Sequence, residues 1–68
     1  MKRMSNLRGR IVQKYGSQAK FAEEIGKTQQ TVTAKLNGKV QFSQDDIVEW
    51  CNALDIEASS IGEYFFAD

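Results

Sequence analysis

The chain has 68 residues, 41% hydrophobic and 26% charged, which is the composition of an ordinary globular protein. This length allows one domain at most, and we therefore treat residues 1–68 as a single domain. No apolar run approaches the ~20 residues that a transmembrane helix needs, and the basic N-terminus lacks the apolar core of a signal peptide. One cysteine and no histidine exclude an internal disulfide and the usual Cys/His zinc site, so we expect no metal and no cofactor.

The charges are divided unevenly along the chain. Residues 1–40 hold all nine cationic side chains against two acidic ones, a net charge of +7. Residues 41–68 hold seven acids and no Lys or Arg, a net charge of −7. Such a division favours a nucleic-acid partner for the basic half, although two oppositely charged halves could also simply attract each other on folding.

The first predicted helix follows from a four-residue repeat of apolar side chains. Leu7, Ile11 and Tyr15 share one face of this helix, and Gly16 stands where a left-handed cap would end it. Residues 1–6 are predicted to be a flexible basic arm ahead of the helix. The cationic side chains on the helix itself are expected to form a solvated face with only occasional DNA contact; they are Arg8, Arg10 and Lys14.

Two further short helices are predicted in the middle of the basic half. Ser17 is a good N-cap for a helix over residues 18–25, which Gly26 ends. Thr28 can cap a helix that runs through residues 28–37 and stops at Asn37-Gly38. The side chains of the two helices that are expected to enter the core are Phe21, Ala22, Ile25, Val32 and Leu36.

The acidic half predicts a fourth helix and a short last one. Ser43 is the expected N-cap, with Asp45 and Asp46 in the first turn, where they complement the helix dipole. Phe42 is expected to be a loop residue tucked into the core. No useful period-2 alternation occurs, so the predicted fold class is all-α. The fourth helix should bury Ile47, Trp50, Cys51 and Leu54, and the last helix passes through Ile61, Tyr64, Phe65 and Phe66.

The outer face of the third helix is unusual for a solvated surface because it carries no charge. With Val32 and Leu36 turned inward, the small polar residues of this helix share the opposite face. A carboxamide can both donate to and accept from the N6/N7 edge of adenine, and methyl groups suit the thymine methyl. The alternative is that the glutamines are only soluble helix-starting residues. The predicted base-reading residues are Gln29, Gln30, Thr33 and Ala34.

Lysines flank this uncharged face at both ends. Lys27, Lys35 and Lys39 are placed to meet phosphates, which would position the protein on a duplex without reading its sequence. We also assign Thr28, at the start of the helix, to the predicted phosphate contacts.

The segment from Gln18 to Val32, continuing through Leu36-Asn37-Gly38-Lys39, resembles the helix-turn-helix of the lambdoid phage repressor and Cro family. The resemblance rests on a small residue at Ala22, glycine at the turn at Gly26, and a branched apolar residue at Val32. It covers nearly the whole chain and implies a compact, lambda-repressor-like bundle of about five helices. The helix-turn-helix itself would span residues 18–37.

The resemblance also implies roles for individual side chains. Gln29 and Gln30 would read bases, Gln18 would contact a phosphate and brace a reader, and Asn37 would donate to the DNA backbone. Ala34 departs from the glutamine-rich members at their third reading position, so their operator sequence does not carry over. Lys35 departs from the apolar residue that many members have, and Leu36 is expected to take its role in the core.

The last helix carries more aromatic side chains than so small a domain is expected to bury. Tyr64, Phe65 and Phe66 are therefore predicted to form a homodimer interface, since exposed apolar patches usually mark contacts. A dimer would place two recognition helices about 34 Å apart on one face of the duplex, which predicts a palindromic operator.

The expected function is therefore a sequence-specific regulator that binds double-stranded DNA, acting as a repressor in the cytoplasm of a bacterial host. The family's larger repressors continue into a second domain, so a chain ending at Asp68 favours a Cro-like single-domain member. The alternative is a protein-interaction module, such as an antitoxin whose acidic half covers a basic partner. An enzyme is not expected, since histidine and a phosphate-cradling glycine loop are lacking. Cys51 is expected to be a small buried hydrophobe without redox function.

Overall fold

The computed structural model describes residues 4–66 and is all-helical, with no strand in that range. The bundle measures 25 × 24 × 21 Å along its principal axes, and its all-α class is the one that the apolar spacing predicts. A 3₁₀ turn over Ala58–Ser60 and a π-helical segment over Gly62–Phe66 replace the ordinary last helix that the sequence predicts. The α-helices are α1 over Ser5–Tyr15, α2 over Gln18–Glu24, α3 over Gln29–Leu36 and α4 over Gln44–Leu54.

The start of α1 corrects the prediction of a flexible arm for residues 4–6. Met4 is only 6% exposed and belongs to the core cluster, and α1 begins directly after it at Ser5. The Asn6 side chain donates to the Glu63 carbonyl at 3.3 Å, which ties the first turn to the C-terminal segment. Burial of the Met4 side chain thus holds this stretch in place, whereas residues 1–3 lie outside the described part of the chain.

Side-chain caps begin the next three helices where the sequence predicts them. The Ser17 hydroxyl accepts from the Lys20 amide at 3.1 Å, and the Thr28 hydroxyl accepts from the Thr31 amide at 3.2 Å. Ser43 forms a complete capping box with Asp46. The Ser43 hydroxyl accepts from the Asp46 amide, and the Asp46 carboxylate accepts from the Ser43 amide. Each cap of this kind is worth about 1 kcal/mol, so local sequence sets these boundaries.

An aromatic cluster fills the centre of the bundle. The Trp50 ring meets the rings of Phe21 and Phe42 edge-on, each at 4.8 Å between centroids. Phe42 also meets Phe65 at 5.0 Å, so this loop residue joins the core as predicted. The fully buried aliphatic side chains around the rings are Leu7, Ile11, Val32, Leu36 and Leu54. Ile25 and Ile47, which were predicted to enter the core, are only partly buried and pack against the edge of this core cluster.

The end of α4 is held by cations from α1. Asp55 adopts the left-handed conformation (φ 55°) that glycine usually supplies after a helix. Arg10 donates from Nε to the Leu54 carbonyl at 2.8 Å and from Nη2 to the Asp55 carbonyl at 3.1 Å. Lys14 pairs with the Asp55 carboxylate at 2.5 Å. Lys14 is exposed as the sequence predicts and Arg10 is half-buried, but both side chains also bind and stabilise the carbonyl end of α4, which the prediction of a merely solvated face did not include.

The C-terminal aromatic residues separate into three environments. Phe65 is 1% exposed and lies in the protein's own core, so its assignment to a dimer interface is wrong. Tyr64 is half-buried, and Phe66 is 60% exposed. Consecutive side chains of this helical segment project in different directions, so Phe65 enters the core while Phe66 stays exposed.

Candidate nucleic-acid interface

The outer surface of α3 is open, polar and uncharged. Gln29 and Gln30 are exposed on its first turn, while Thr33 and Ala34 are half-buried one turn later. The opposite face is entirely buried, with Val32 and Leu36 at 0% exposure. A shallow depression of about 320 Å³ follows the outer face; its lining residues are Gln29, Gln30, Thr33, Ala34, Asn37 and Lys39. The structure thus brings the four predicted base-reading residues onto one surface.

The turn between α2 and α3 sets how α3 is presented. Gly26 has a φ of 71°, a conformation that other residues rarely adopt, and the Lys27 amide returns to the Ala22 carbonyl at 2.9 Å. The Thr33 hydroxyl donates to Gln18 Oε1 at 3.1 Å, which links the first turn of α2 to the middle of α3. Gln18 therefore braces one of the predicted readers, and its phosphate contact stays a prediction.

The far end of α3 is tied to α1. Asn37 is the C-cap, and Gly38 follows with a φ of 78°, so the helix ends at the dipeptide that the sequence indicates. Asn37 Oδ1 accepts from the Arg8 guanidinium at 2.5 Å. This bond leaves the amide Nδ2 as the donor that a phosphate contact by Asn37 would use. Arg8 thus has a structural role beside the outer face of α3, which the prediction of a solvated face for Arg8 did not reveal.

The sequence predicts that Lys35 flanks the outer face of α3, but in the structure its side chain pairs with Asp46. Its Nζ lies 2.6 Å from Asp46 Oδ2, and only 11% of its side chain is exposed. The same ammonium lies 5.6 Å from the centroid of the Phe42 ring. The assignment of Lys35 to the phosphate contacts is therefore corrected: the amine points toward the start of α4, away from the outer face of α3.

The Asp46 carboxyl group is held in its charged form by two hydrogen bonds. The Lys35 hydrogen bond, followed by the Ser43 backbone amide, lowers the pKa of Asp46 to about 2. The Ser43 amide donates to Asp46 Oδ2 at 2.9 Å, which is the same oxygen that the Lys35 ammonium reaches. This carboxylate consequently serves both as the capping-box acceptor and as the counter-ion of a buried cation.

Two groups of cations can now be distinguished among residues 4–66. The cations of one group bind carbonyl, amide or carboxylate oxygens of the protein itself; its members are Arg8, Arg10, Lys14 and Lys35. The other group is exposed and forms no ion pair within residues 4–66; its members are Lys20, Lys27 and Lys39. Lys27 and Lys39 lie at the two ends of α3, and Thr28 is exposed beside Lys27. Sequence counting therefore overestimates the charge that this surface offers to a partner.

An apolar depression lies apart from the uncharged face and was not foreseen. It has a volume of about 410 Å³ and lies where the loop after α3 meets the C-terminal segment. Val40 and Phe66 are exposed at this depression, at 46% and 60%. The sequence signals for it were Val40 and Phe42, the two apolar residues of the loop after α3. The remaining lining residues are Met4, Gly38, Gln41, Phe42, Ile47 and Phe65.

Cys51 matches its expected place in the core. It is a buried free cysteine, and desolvation raises the pKa of its thiol, which makes the reactive thiolate rarer. Among residues 4–66 there is no cluster of three or more His, Cys, Asp or Glu side chains arranged to hold a metal ion. The helices of this range are also too short and too polar to cross a membrane.

Comparison with known proteins places the chain in one family. The family model described as "Protein of unknown function (DUF739)" matches residues 3–68, and the chain therefore belongs to this family. No curated protein matches the chain.

Proposed function

We propose that the protein is a sequence-specific regulator that binds double-stranded DNA, with α3 in the major groove. The observation that carries the proposal is the uncharged face of α3, on which two exposed glutamines lie beside Thr33 and Ala34. A helix that served only as a solvated surface would ordinarily present charged side chains there. Carboxamides and methyl groups are instead the groups that discriminate base edges in the major groove. The resemblance to the phage Cro and repressor family supports the same interpretation.

The affinity for DNA would come from a small set of phosphate contacts. We call the surface formed by Gln29, Gln30, Thr33 and Ala34 the reading face. Lys27 and Lys39 lie at its two ends, and Asn37 lines the same depression. Gln18 and Thr28 sit at or next to helix N-termini, where backbone amides favour an anion. With so few cations, the dependence of affinity on salt should be modest compared with that of strongly basic DNA-binding proteins.

The protein would act as a homodimer on a palindromic operator, and repression would result from exclusion of a competing protein. Exposed Phe66 and half-buried Tyr64 remain the predicted contact residues, now without Phe65. Sedimentation equilibrium with and without operator DNA tests this part of the proposal. A monomer on a single half-site at saturation would contradict it.

The proposed function is tested by titration into a labelled duplex taken from immediately upstream of the protein's own gene. A scrambled duplex of equal length and composition is the control, and each titration is repeated at two salt concentrations. We expect binding at least about a thousandfold tighter to the upstream duplex. Equal binding to both duplexes would mean that a basic surface binds DNA without reading its sequence, which would contradict the proposal. The absence of binding at low salt would also refute it.

A protein-interaction module is the second candidate, and one observation favours it. Asp46 and Asp55 are the acids that pair with cations within residues 4–66, whereas four other acids of the C-terminal half form no ion pair there. These acids are Asp45, Glu49, Glu57 and Glu63. An antitoxin-like role would direct them at a basic partner, and stoichiometric co-purification with a small basic protein, lost when these four acids are neutralised, would support it.

A further inference from the structure

The buried ion pair between Lys35 and Asp46 joins α3 to the start of α4. Nζ of Lys35 and Oδ2 of Asp46 are 2.6 Å apart, and their side chains are 11% and 22% exposed. The partners are 11 positions apart in sequence, so the pair closes the loop that connects the two helices. Asp46 is itself held by the Ser43 amide at 2.9 Å, which gives the carboxylate a defined position before Lys35 reaches it.

Apolar packing alone specifies the placement of α3 only loosely. α3 has eight residues and turns Val32 and Leu36 into the core. Apolar burial is non-directional, so two side chains leave the tilt and rotation of so short a helix weakly defined. Polar contacts with fixed partners supply the missing constraint. One lies in the middle of the helix, between Thr33 and Gln18, and two lie near its C-terminal end, through Lys35 and Asn37.

The contact through Lys35 differs from the other two because both partners are charged, and the pair is part-buried, with the two side chains 11% and 22% exposed. A buried ion pair contributes little net stability compared with apolar residues of the same size, since both ions lose their hydration. Its geometric requirement is strict, however, because an ammonium that leaves its carboxylate stays desolvated without a partner. Such a pair therefore raises the free energy of other placements of α3 by more than it lowers the free energy of the observed placement.

We propose that Lys35 and Asp46 are positioning residues that hold the reading face of α3 in the orientation that base recognition requires. The proposal rests on the proposed function, since it concerns the accuracy with which α3 meets the bases. Lys35 adjoins the predicted reader Ala34, so a displacement of its side chain would be transmitted directly to the reading face. In this role Lys35 does not contact DNA.

The first test uses the protein without DNA and compares D46N with D45N. Both variants remove one negative charge from the first turn of α4, but Asp45 is exposed and has no ion pair within residues 4–66. We expect amide hydrogen exchange at Lys35, Leu36 and Asn37 to become at least about tenfold faster in D46N, while amides of α2 keep their rates. The D45N variant should exchange like the wild type. Equal exchange at α3 in both variants would overturn the proposal.

The second test separates positioning from stability and from phosphate contact. It compares K35M, D46N and the double variant K35M/D46N in affinity for operator and scrambled duplexes and in thermal midpoint. We expect the double variant to recover the thermal midpoint of the wild type, because no unpaired buried charge remains. Its preference for the operator should nevertheless stay about tenfold below that of the wild type. Recovery of both properties would show a merely structural pair and would overturn the proposal.

The salt dependence of K35M excludes the remaining alternative. A positioning residue leaves the slope of log K against log salt unchanged on both duplexes, whereas loss of a phosphate contact would reduce it by about 0.9. A reduced slope would assign Lys35 to the phosphate contacts and overturn the proposal. If the wild-type protein preferred neither duplex, the proposed function would be wrong, and amide exchange in D46N alone would decide whether the pair orders α3.

Discussion

Helices α1 and α3 both belong to the basic half of the chain, yet they use their polar side chains in opposite ways. The cations of α1 bind other parts of the protein: Arg8 reaches the end of α3, while Arg10 and Lys14 reach the end of α4. The outer face of α3 has no charge and offers its amides to the surroundings. The comparison shows that charge counted along a sequence does not measure charge available for binding.

The difference has a physical origin in where each helix lies. α1 packs against α2, α4 and the C-terminal segment, so its long cationic side chains extend over neighbouring helix ends and meet carbonyl groups there. α3 packs mainly on α2, which leaves one side of it open. The polar side chains on the outer face of α3 can therefore contact a partner molecule. The cationic side chains of α1 instead stabilise the fold.

The largest expected effect concerns the open face of α3. Gln30→Ala should weaken operator binding by about 1–3 kcal/mol, a factor of about 5 to 150, because the proposed bidentate base contact would be lost. Affinity for scrambled DNA and the free energy of unfolding should remain unchanged, since Gln30 is exposed and its side chain makes no hydrogen bond within residues 4–66. Fluorescence anisotropy on both duplexes measures the effect. Gln44→Ala on α4, another exposed glutamine in the first turn of a helix, is the matched control, and an equal loss on both duplexes would remove Gln30 from the base-reading residues.

The next effect concerns the structural cations of α1. Arg10→Met keeps most of the side-chain stem but removes the two charged hydrogen bonds to the carbonyls of Leu54 and Asp55. We expect a loss of about 2 kcal/mol in the free energy of unfolding, measured by urea denaturation. Lys20→Met removes an exposed cation and should cost less than about 0.5 kcal/mol. Similar losses in the two variants would show that Arg10 does not hold the end of α4.

The ion pair between α3 and α4 predicts a pH dependence of stability. The pKa of Asp46 is lowered to about 2 in the folded protein. A lowered folded pKa stabilises the protein above the unfolded value near 4, and this stability is lost as pH falls toward 2. After allowance for solvent screening, we expect about 1–2 kcal/mol between pH 6 and pH 2 that D46N does not show. Parallel stability profiles for D46N and the wild type would contradict this.

The smallest effect distinguishes the two groups of cations on DNA. Lys39→Ala removes an exposed ammonium beside the reading face and should lower the slope of log K against log salt by about 0.9 on any duplex. Lys14→Ala removes an ammonium that pairs with Asp55 and should leave that slope unchanged. Equal slopes for the two variants would contradict the assignment of Lys39 to DNA contacts and of Lys14 to contacts within the protein.

The sequence was most informative where a boundary depends on neighbouring residues. Ser17, Thr28 and Ser43 cap their helices as predicted, because an N-cap needs only a side chain and an amide three residues away. The inward positions of Val32 and Trp50 were likewise predictable, since apolar spacing fixes which face of a helix is buried.

The membership of the candidate site was only partly predictable. Gln29, Gln30, Thr33 and Ala34 lie on one surface because helical geometry requires it. Lys35 lies next to them in sequence but turns toward Asp46, and no local pattern relates these two residues. Met4 and Phe65 were misassigned for the same reason, since their burial depends on contact between the two ends of the chain.

Local sequence therefore accounts for the helices, their caps and the uncharged face of α3, whose causes lie within one or two turns of the chain. Long-range contacts account for which cations are engaged: Arg8 with Asn37, Arg10 with Leu54, and Lys35 with Asp46 are 29, 44 and 11 residues apart. A long cationic side chain can reach solvent, a carbonyl or a carboxylate at similar free energy. The packed arrangement of the helices selects among these partners, because it alone brings a particular oxygen within reach.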